Sequence, residues 1–177
     1  MPSGATHDRI TLLSLPFISA ASWLIDHNAD STLVLAGSFL FSGLMFGPDL
    51  DIYSIQYKRW GLLRWIWRPY QSMLSHRSWL SHGPLIGTLV RLIYLGTWIL
   101  LGATLYAAIA IAINWPLWEW QTVKHHLFQS SVQYQRYIFA SLVGLELGAL
   151  SHSASDWIGS TWKRRHSRTK PKRRRRS

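Results

Sequence analysis

From Leu92 to Ile113 the chain carries no charged side chain, and no other feature narrows its possible folds as far. A run of about 20 apolar residues is long enough to cross a bilayer. Inside lipid every backbone N–H and C=O must be satisfied by the segment itself, so the run is expected to be a membrane-spanning helix. Pro84 suits its first turn, and Arg91, a few residues inside the apolar stretch, is placed to snorkel to the interface. Asn114-Trp115-Pro116 ends it.

Three further apolar runs have helical length. Residues 10–25 contain Pro16, so a kink is expected there. Residues 31–46 follow the polar turn Asp26–Asp30, with Asp30 or Ser31 as the N-cap. Residues 137–158 form the last run. The fold expected is therefore all-α: about four apolar helices in one helical membrane domain over residues 1–160, then a disordered basic tail over 161–177. The first two runs are somewhat short for spanning, so a compact helical bundle with one or two true spans is the rival architecture. With 177 residues there is no room for a second sizeable core. Arg9 is offset by Asp8 and no small-x-small cleavage site follows, so residues 10–25 make a poor signal peptide.

Eleven tryptophans favour an interfacial location. In residues 52–75, Lys58, Arg59, Arg64 and Arg68 alternate with Trp60, Leu63, Trp65, Ile66 and Trp67. That mix suits a segment lying in the headgroup layer, with membrane lipid, anionic phospholipid in particular, as its partner. The bland alternative is a basic loop with incidental aromatics.

Formal net charge is +11, and ten of the nineteen Lys and Arg residues fall between Lys163 and Arg176. A tail of this kind usually fixes topology. An adaptor role would have it bind anionic membrane or, less in keeping with the chain, nucleic acid. With residues 52–81 also rich in cations, the positive-inside rule favours four spans with both termini cytoplasmic. The location expected is the inner (plasma) membrane or another internal membrane, multi-pass. His7, the Asp49/Asp51 phrase, the His76–His82 phrase and the His152/Asp156 phrase then all fall on the cytoplasmic side, while His27, His125 and His126 fall on the other.

These phrases carry the candidate chemistry, because ionisable groups at the ends of membrane helices are costly unless they pair, bind or react. His152 and Asp156 are four apart and share a helical face, which suits a metal pair or a plain hydrogen bond. Gly47-Pro48 breaks the second helix, so Asp49-Leu50-Asp51 reads as extended or a turn. Alternation would point both carboxylates the same way. Close carboxylates repel unless a cation or proton lies between them. Asp49 could equally pair with Arg59 or Arg77 at a solvated turn. His76 and His82 are six apart and converge only if the chain breaks near Ser81-His82-Gly83-Pro84. Arg77 could hold an anionic substrate group through two hydrogen bonds. Ser81, Ser151 and Ser153 are candidate donors to the ligands.

The chain has no cysteine, so no thiolate can ligate a metal. A His/Asp set suits zinc, with manganese or iron as alternatives. Metal ligands are expected among His7, Asp49, Asp51, His76, His82, His152 and Asp156, with Asp51 and Arg77 as the catalytic candidates. The chemistry expected is hydrolysis of an ester or phosphodiester by a metal-activated water. The rivals are a non-catalytic metal clamp on the helix ends and the adaptor.

The phrases Thr6-His7-Asp8-Arg9-Ile10-Thr11, Phe46 through Ser54 and His76-Arg77 through Ser81-His82-Gly83 resemble a cyanobacterial family of metal-binding proteins of unknown function. The likeness covers most of residues 1–160. More distantly, the order His, Asp-x-Asp, His-Arg…Ser-His, His-x-x-x-Asp is similar to YdjM-type predicted membrane-bound metal-dependent hydrolases. Those are thought to be related to zinc-dependent phospholipases C and single-strand nucleases. The resemblance implies a metal site formed from His7, Asp49 or Asp51, His76 or His82, and His152 with Asp156. It implies hydrolase chemistry only by analogy. The spacing between the two middle histidines is one residue longer than in the YdjM-type pattern. The later His-x-x-x-Glu pair of the soluble enzymes has no counterpart here, so one or two metals are expected rather than three.

Overall fold

A computed structural model describes residues 4–113 and 134–168, with side chains to Thr161. Lys124, His125 and His126, and the tail beyond Arg168, lie outside the described residues. Every regular element among the described residues is helical. The four expected apolar runs become the long helices α1 (Gly4–Asp26), α2 (Ala29–Leu44), α6 (Ile86–Ala112) and α7 (Gln135–Arg168). Between α2 and α6 lie a 3-10 turn (Pro48–Asp51), α3 (Ile55–Arg59), a 3-10 segment (Gly61–Trp67), α4 (Arg68–Met73) and α5 (Trp79–His82).

By length and composition, two stretches could cross a membrane: Ala29–Asp51 and Ile86–Ala112. The second has little of its surface buried by the rest of the chain.

Pro16 sits inside the unbroken helix α1. The N-cap of α2 is Asn28, whose side chain accepts from Ser31 N at 2.9 Å, rather than Asp30 or Ser31. Pro84 precedes α6 instead of opening it. Helix α7 continues to Arg168, through the first residues of the tail expected from 161.

Helix α2 packs along α7 at close range because two glycines on α7 face it. A Cβ on Gly144 would meet Leu35 O at 2.4 Å, and one on Gly148 would meet Phe39 O at 2.6 Å. Such Gly-x-x-x-Gly faces let helix backbones approach in apolar surroundings. Ser42 Oγ donates to Leu145 O across the same seam at 2.6 Å. On its other side α2 meets α1, where buried Thr11 packs against Gly43. At the far end, Arg136 at the start of α7 reaches Asp26 at the end of α1 (3.6 Å). The ends of α1 and α7 that carry His7 and His152 therefore lie together at the opposite end.

The apolar core sits beside this bundle. Phe46, Leu50, Tyr57, Ile66, Trp67 and Tyr70 are buried against one another, with Tyr94, Leu95 and Trp98 of α6 packed on them. Residues 52–75 thus divide their rings. Trp67 is fully buried and Trp60 is partly covered, whereas Leu62, Leu63, Trp65 and Met73 are exposed. Burial in the core takes Trp67 out of the interface in which the rings of this segment were expected to lie. Arg91 does not snorkel: it is buried, donating to Ser81 O (2.9 Å) and Thr88 Oγ1 (3.0 Å). A buried guanidinium needs such acceptors, and the carbonyl of Ser81 places α5 over α6.

Candidate metal centre

The turn after α2 sets the site. Gly47 sits against Gln56, where a Cβ would come within 2.4 Å of Gln56 Nε2. Pro48–Asp51 then winds as a 3-10 turn, with Leu50 in the core. At about three residues per turn, Asp49 and Asp51 do not point the same way. The alternation expected from sequence is overturned for that reason. Asp49 faces α7 and His82, and Asp51 lies behind the two middle histidines.

Asp51 is 3% exposed; its Oδ1 accepts from His76 Nδ1 at 2.9 Å, and its Oδ2 lies 3.6 Å from His82 Nδ1. Asp51 Oδ1 therefore orients His76 from its rear edge, while Asp51 Oδ2 is buried beside His82 without a hydrogen-bond partner among the described residues. Asp51, expected as a ligand and catalytic group, has its Oδ1 taken up by His76.

His76 and His82 do converge, with ring centroids 5.2 Å apart at 81°. The break that allows it comes earlier than expected. Arg77 takes a left-handed φ of 63°, turning the chain between His76 and α5.

Tautomers follow from the partners. A carboxylate only accepts, so His76 carries its proton on Nδ1. Ser81 Oγ, 2.8 Å from His82 Nδ1, donates to Ser78 O and is left to accept from His82. On α7, Ser155 Oγ donates to His152 O and accepts from His7 Nδ1 by a short bond. His7, His76 and His82 each then present a bare Nε2 lone pair. Among the described residues, the buried Nε2 atoms of His76, His82 and His152 have no hydrogen-bond partner.

Those Nε2 atoms look toward carboxylates. His7 Nε2 is 3.4 Å from Asp156 Oδ1, His152 Nε2 is 3.3 Å from Asp49 Oδ2, and His82 Nε2 is 3.8 Å from Asp49 Oδ1. A lone pair facing a carboxylate oxygen is repulsive unless a proton or cation lies between them. The donor set therefore fits a divalent cation, with His7, His152 and Asp156 as one group and Asp49, His76 and His82 as another. Burial is the main cause that holds His7 below its ordinary pKa, and repulsion from His152 adds to it; the rings of the two stack at 3.9 Å. A neutral imidazole is the form that ligates.

Arg77 stands at the rim, its side chain 44% exposed and 3.7 Å from Asp156 Oδ2. Arg59, the other suggested partner of Asp49, instead grips Asp8 at 2.6 and 2.9 Å, which raises its own pKa and ties α1 to α3 next to His7.

All seven expected ligands and Arg77 come together, from α1, the 3-10 turn, the α4–α5 region and α7. His27 lies at the α1–α2 turn, at the other end of α1 from His7. Of the three serines named from sequence, Ser81 does bond a candidate ligand, while Ser151 donates to its own helix at Gly148 O. Ser155 and Gln56 are the residues sequence reasoning missed. Gln56 Nε2 donates to Gly43 O at 2.9 Å and lies 3.5 Å from His152 Nδ1. Ser155 had a legible signal, since it lies one residue before Asp156 and three after His152 on a helix. Gln56 had none.

The family model described as "Uncharacterized metal-binding protein (DUF2227)" matches residues 2–166. An uncharacterized protein of Aquifex aeolicus (strain VF5) is 38% identical over 58 residues, which are 32% of this chain and 40% of that protein. No solved structure matches the chain.

Proposed function

The chain belongs to the DUF2227 family of uncharacterized metal-binding proteins, and from that premise we propose that it is a membrane-bound, metal-dependent hydrolase of phosphoesters, lipid phosphoesters in particular. The observation that carries the reading is the cluster of bare, buried histidine nitrogens facing carboxylates beneath an accessible arginine. His7, His76, His82, His152, Asp49 and Asp156 would hold the cation, zinc before manganese or iron. When bound, it would supply Lewis-acid charge and lower the pKa of a water.

The chain's own residues do the rest. Asp51, Ser81 and Ser155 hold three imidazoles with their Nε2 edges inward. Arg77 offers a planar fork of donors to a phosphate at the rim. Asp156, paired to Arg77, keeps that fork over the centre.

A lipid substrate is supported by a groove of about 400 Å³ between α1 and α7, lined by Ile10, Ala154, Ile158 and small residues. Ser155 lines it and also bonds His7, so the groove runs directly beside the site. Exposed Leu62, Leu63 and Trp65 beside Arg64 and Arg68 would rest on anionic lipid headgroups. The apolar stretches of α1 (residues 10–25), α2, α6 and α7 as four spans, both termini cytoplasmic, would put the centre on the cytoplasmic face, with His7 ahead of the first span.

Purified protein should hydrolyse a phosphodiester or phospholipid reporter, lose that activity on chelation and regain it with zinc. Metal-free protein of unchanged activity and unchanged stability would defeat the proposal. A purely structural clamp is the second reading, favoured by ligand positions as far apart in the chain as His7 and Asp156. Under it, chelation would lower stability with no phosphoester turnover to lose.

A further inference from the structure

We propose that the centre is dinuclear: two divalent cations, one on each histidine group, joined by the carboxylate of Asp49. This rests on the metal-binding reading above and goes beyond it in number and connectivity.

The donors form two sets. His7, His152 and Asp156 place one ligand atom each within 4.8 Å of one another, and so do Asp49, His76 and His82. Each set contains its own buried nitrogen without a hydrogen-bond partner, His152 Nε2 in the first and both His76 Nε2 and His82 Nε2 in the second. One cation on one set would leave the other set's ligand nitrogens buried without a partner, an arrangement that is unfavourable for each group.

Asp49 is a member of the second set and also reaches the first. Its Oδ2 is 3.3 Å from His152 Nε2, and its Oδ1 is 3.8 Å from His82 Nε2. Its two oxygens are thus turned toward nitrogens of different groups, which is how a bridging carboxylate is presented. The donor count agrees. Four histidines and two carboxylates exceed what a cation with an open position needs, three protein ligands being the common number. Divided in two with Asp49 shared, they supply each cation with three or more.

Charge supports the same division. Two divalent cations outweigh the carboxylates of Asp49, Asp51 and Asp156, and Arg77 adds to the surplus. A phosphate group at the rim would meet that surplus.

The test is stoichiometry on the full-length protein in detergent, stripped of metal and titrated with Mn²⁺. Two equivalents per chain with an exchange-coupled manganese spectrum are expected. His76→Ala/His82→Ala and His7→Ala/Asp156→Asn should each retain one equivalent with an uncoupled spectrum, which also shows that the variants stay folded. One equivalent in the wild type would overturn the dinuclear proposal and leave the metal-binding reading standing. Two equivalents without coupling would remove Asp49 as the bridge. No bound manganese, with none of zinc either, would bring down both readings.

Discussion

Asp51→Asn separates a residue that orients ligands from one that ligates. The substitution keeps size and shape but replaces one acceptor oxygen by an NH₂ group. In the wild type, His76 Nδ1 bonds Oδ1 at 2.9 Å, and His82 Nδ1 lies 3.6 Å from Oδ2. One asparagine oxygen can accept from only one of them. An NH₂ group set against His76 would force that ring to carry its proton on Nε2, the nitrogen aimed at the centre. Set against His82 it would do less, because Ser81 Oγ at 2.8 Å still accepts from that ring. Loss of such an orienting carboxylate costs about 10–100-fold in metal affinity, or ~1.4–2.8 kcal/mol. The assay is a competition titration against a chromogenic zinc chelator, with circular dichroism of the metal-free variant to show that it folds. The expected result is weakened affinity at unchanged stoichiometry. Unchanged affinity would refute the orienting role, and loss of a whole equivalent would make Asp51 a ligand after all.

Other perturbations reach different parts of the argument. Gly148→Leu should part α2 from α7, since even a Cβ there meets Phe39 O and Ser42 Cβ at 2.6 Å. Overpacking of this kind costs about 1–3 kcal/mol, so a melting temperature equal to wild type would contradict the close seam. Arg77→Gly suits the left-handed backbone at φ 63° and removes the whole side chain, guanidinium included. It should raise KM for a phosphoester about tenfold or more, as expected for a lost charge-assisted hydrogen bond, with metal content unchanged; an unaltered KM would discard the phosphate-holding role. His7 is held below its ordinary pKa in the folded protein. Its contribution to the metal-free fold is therefore complete above about pH 6.5 and declines as pH falls below that value. Denaturant titrations of wild type and His7→Gln should accordingly converge toward acid, and curves that stay parallel would contradict the shift.

Which parts of this were legible in sequence follows from how local each signal is. The four long helices came from apolar runs and their punctuation, which need no tertiary information. The membership of the site was legible because histidines and acids at the ends of apolar helices are few. Its roles were not. Asp49 and Asp51 were separated by a 3-10 turn that Gly47-Pro48 permits without dictating, and only contact with Gln56 and the core around Leu50 selects it. Arg91 looked like a snorkelling residue because sequence cannot show that Ser81 O and Thr88 Oγ1 await it. The division of the tryptophans likewise depends on α6 lying against residues 60–70, a contact distant in sequence. The close seam at Gly144 and Gly148 went unread, since nothing in the sequence names α2 as its partner.

The pocket gathers three carboxylates and four imidazoles, and the scaffold bears on whether it can do so without a cation. The contacts that hold the contributing segments are independent of metal: the Gly144/Gly148 seam, Ser42 to Leu145 O, Asp8 with Arg59, and Gln56 with Gly43 O. Together they anchor α1, α2, α3 and α7 close to the candidate ligands. Asp156 also keeps a cation partner in Arg77, and Asp51 keeps His76. A metal-free fold with a strained but assembled site follows, unlike small metal domains that unfold when stripped. Binding to the folded state alone then adds stability by mass action, about 2.7 kcal/mol at a free metal concentration 100 times Kd. Chelation should therefore lower the melting temperature by several degrees and leave helical content at ambient temperature intact. Collapse of the helical signal on chelation would show that the cation, and not the α2–α7 seam, assembles these helix ends.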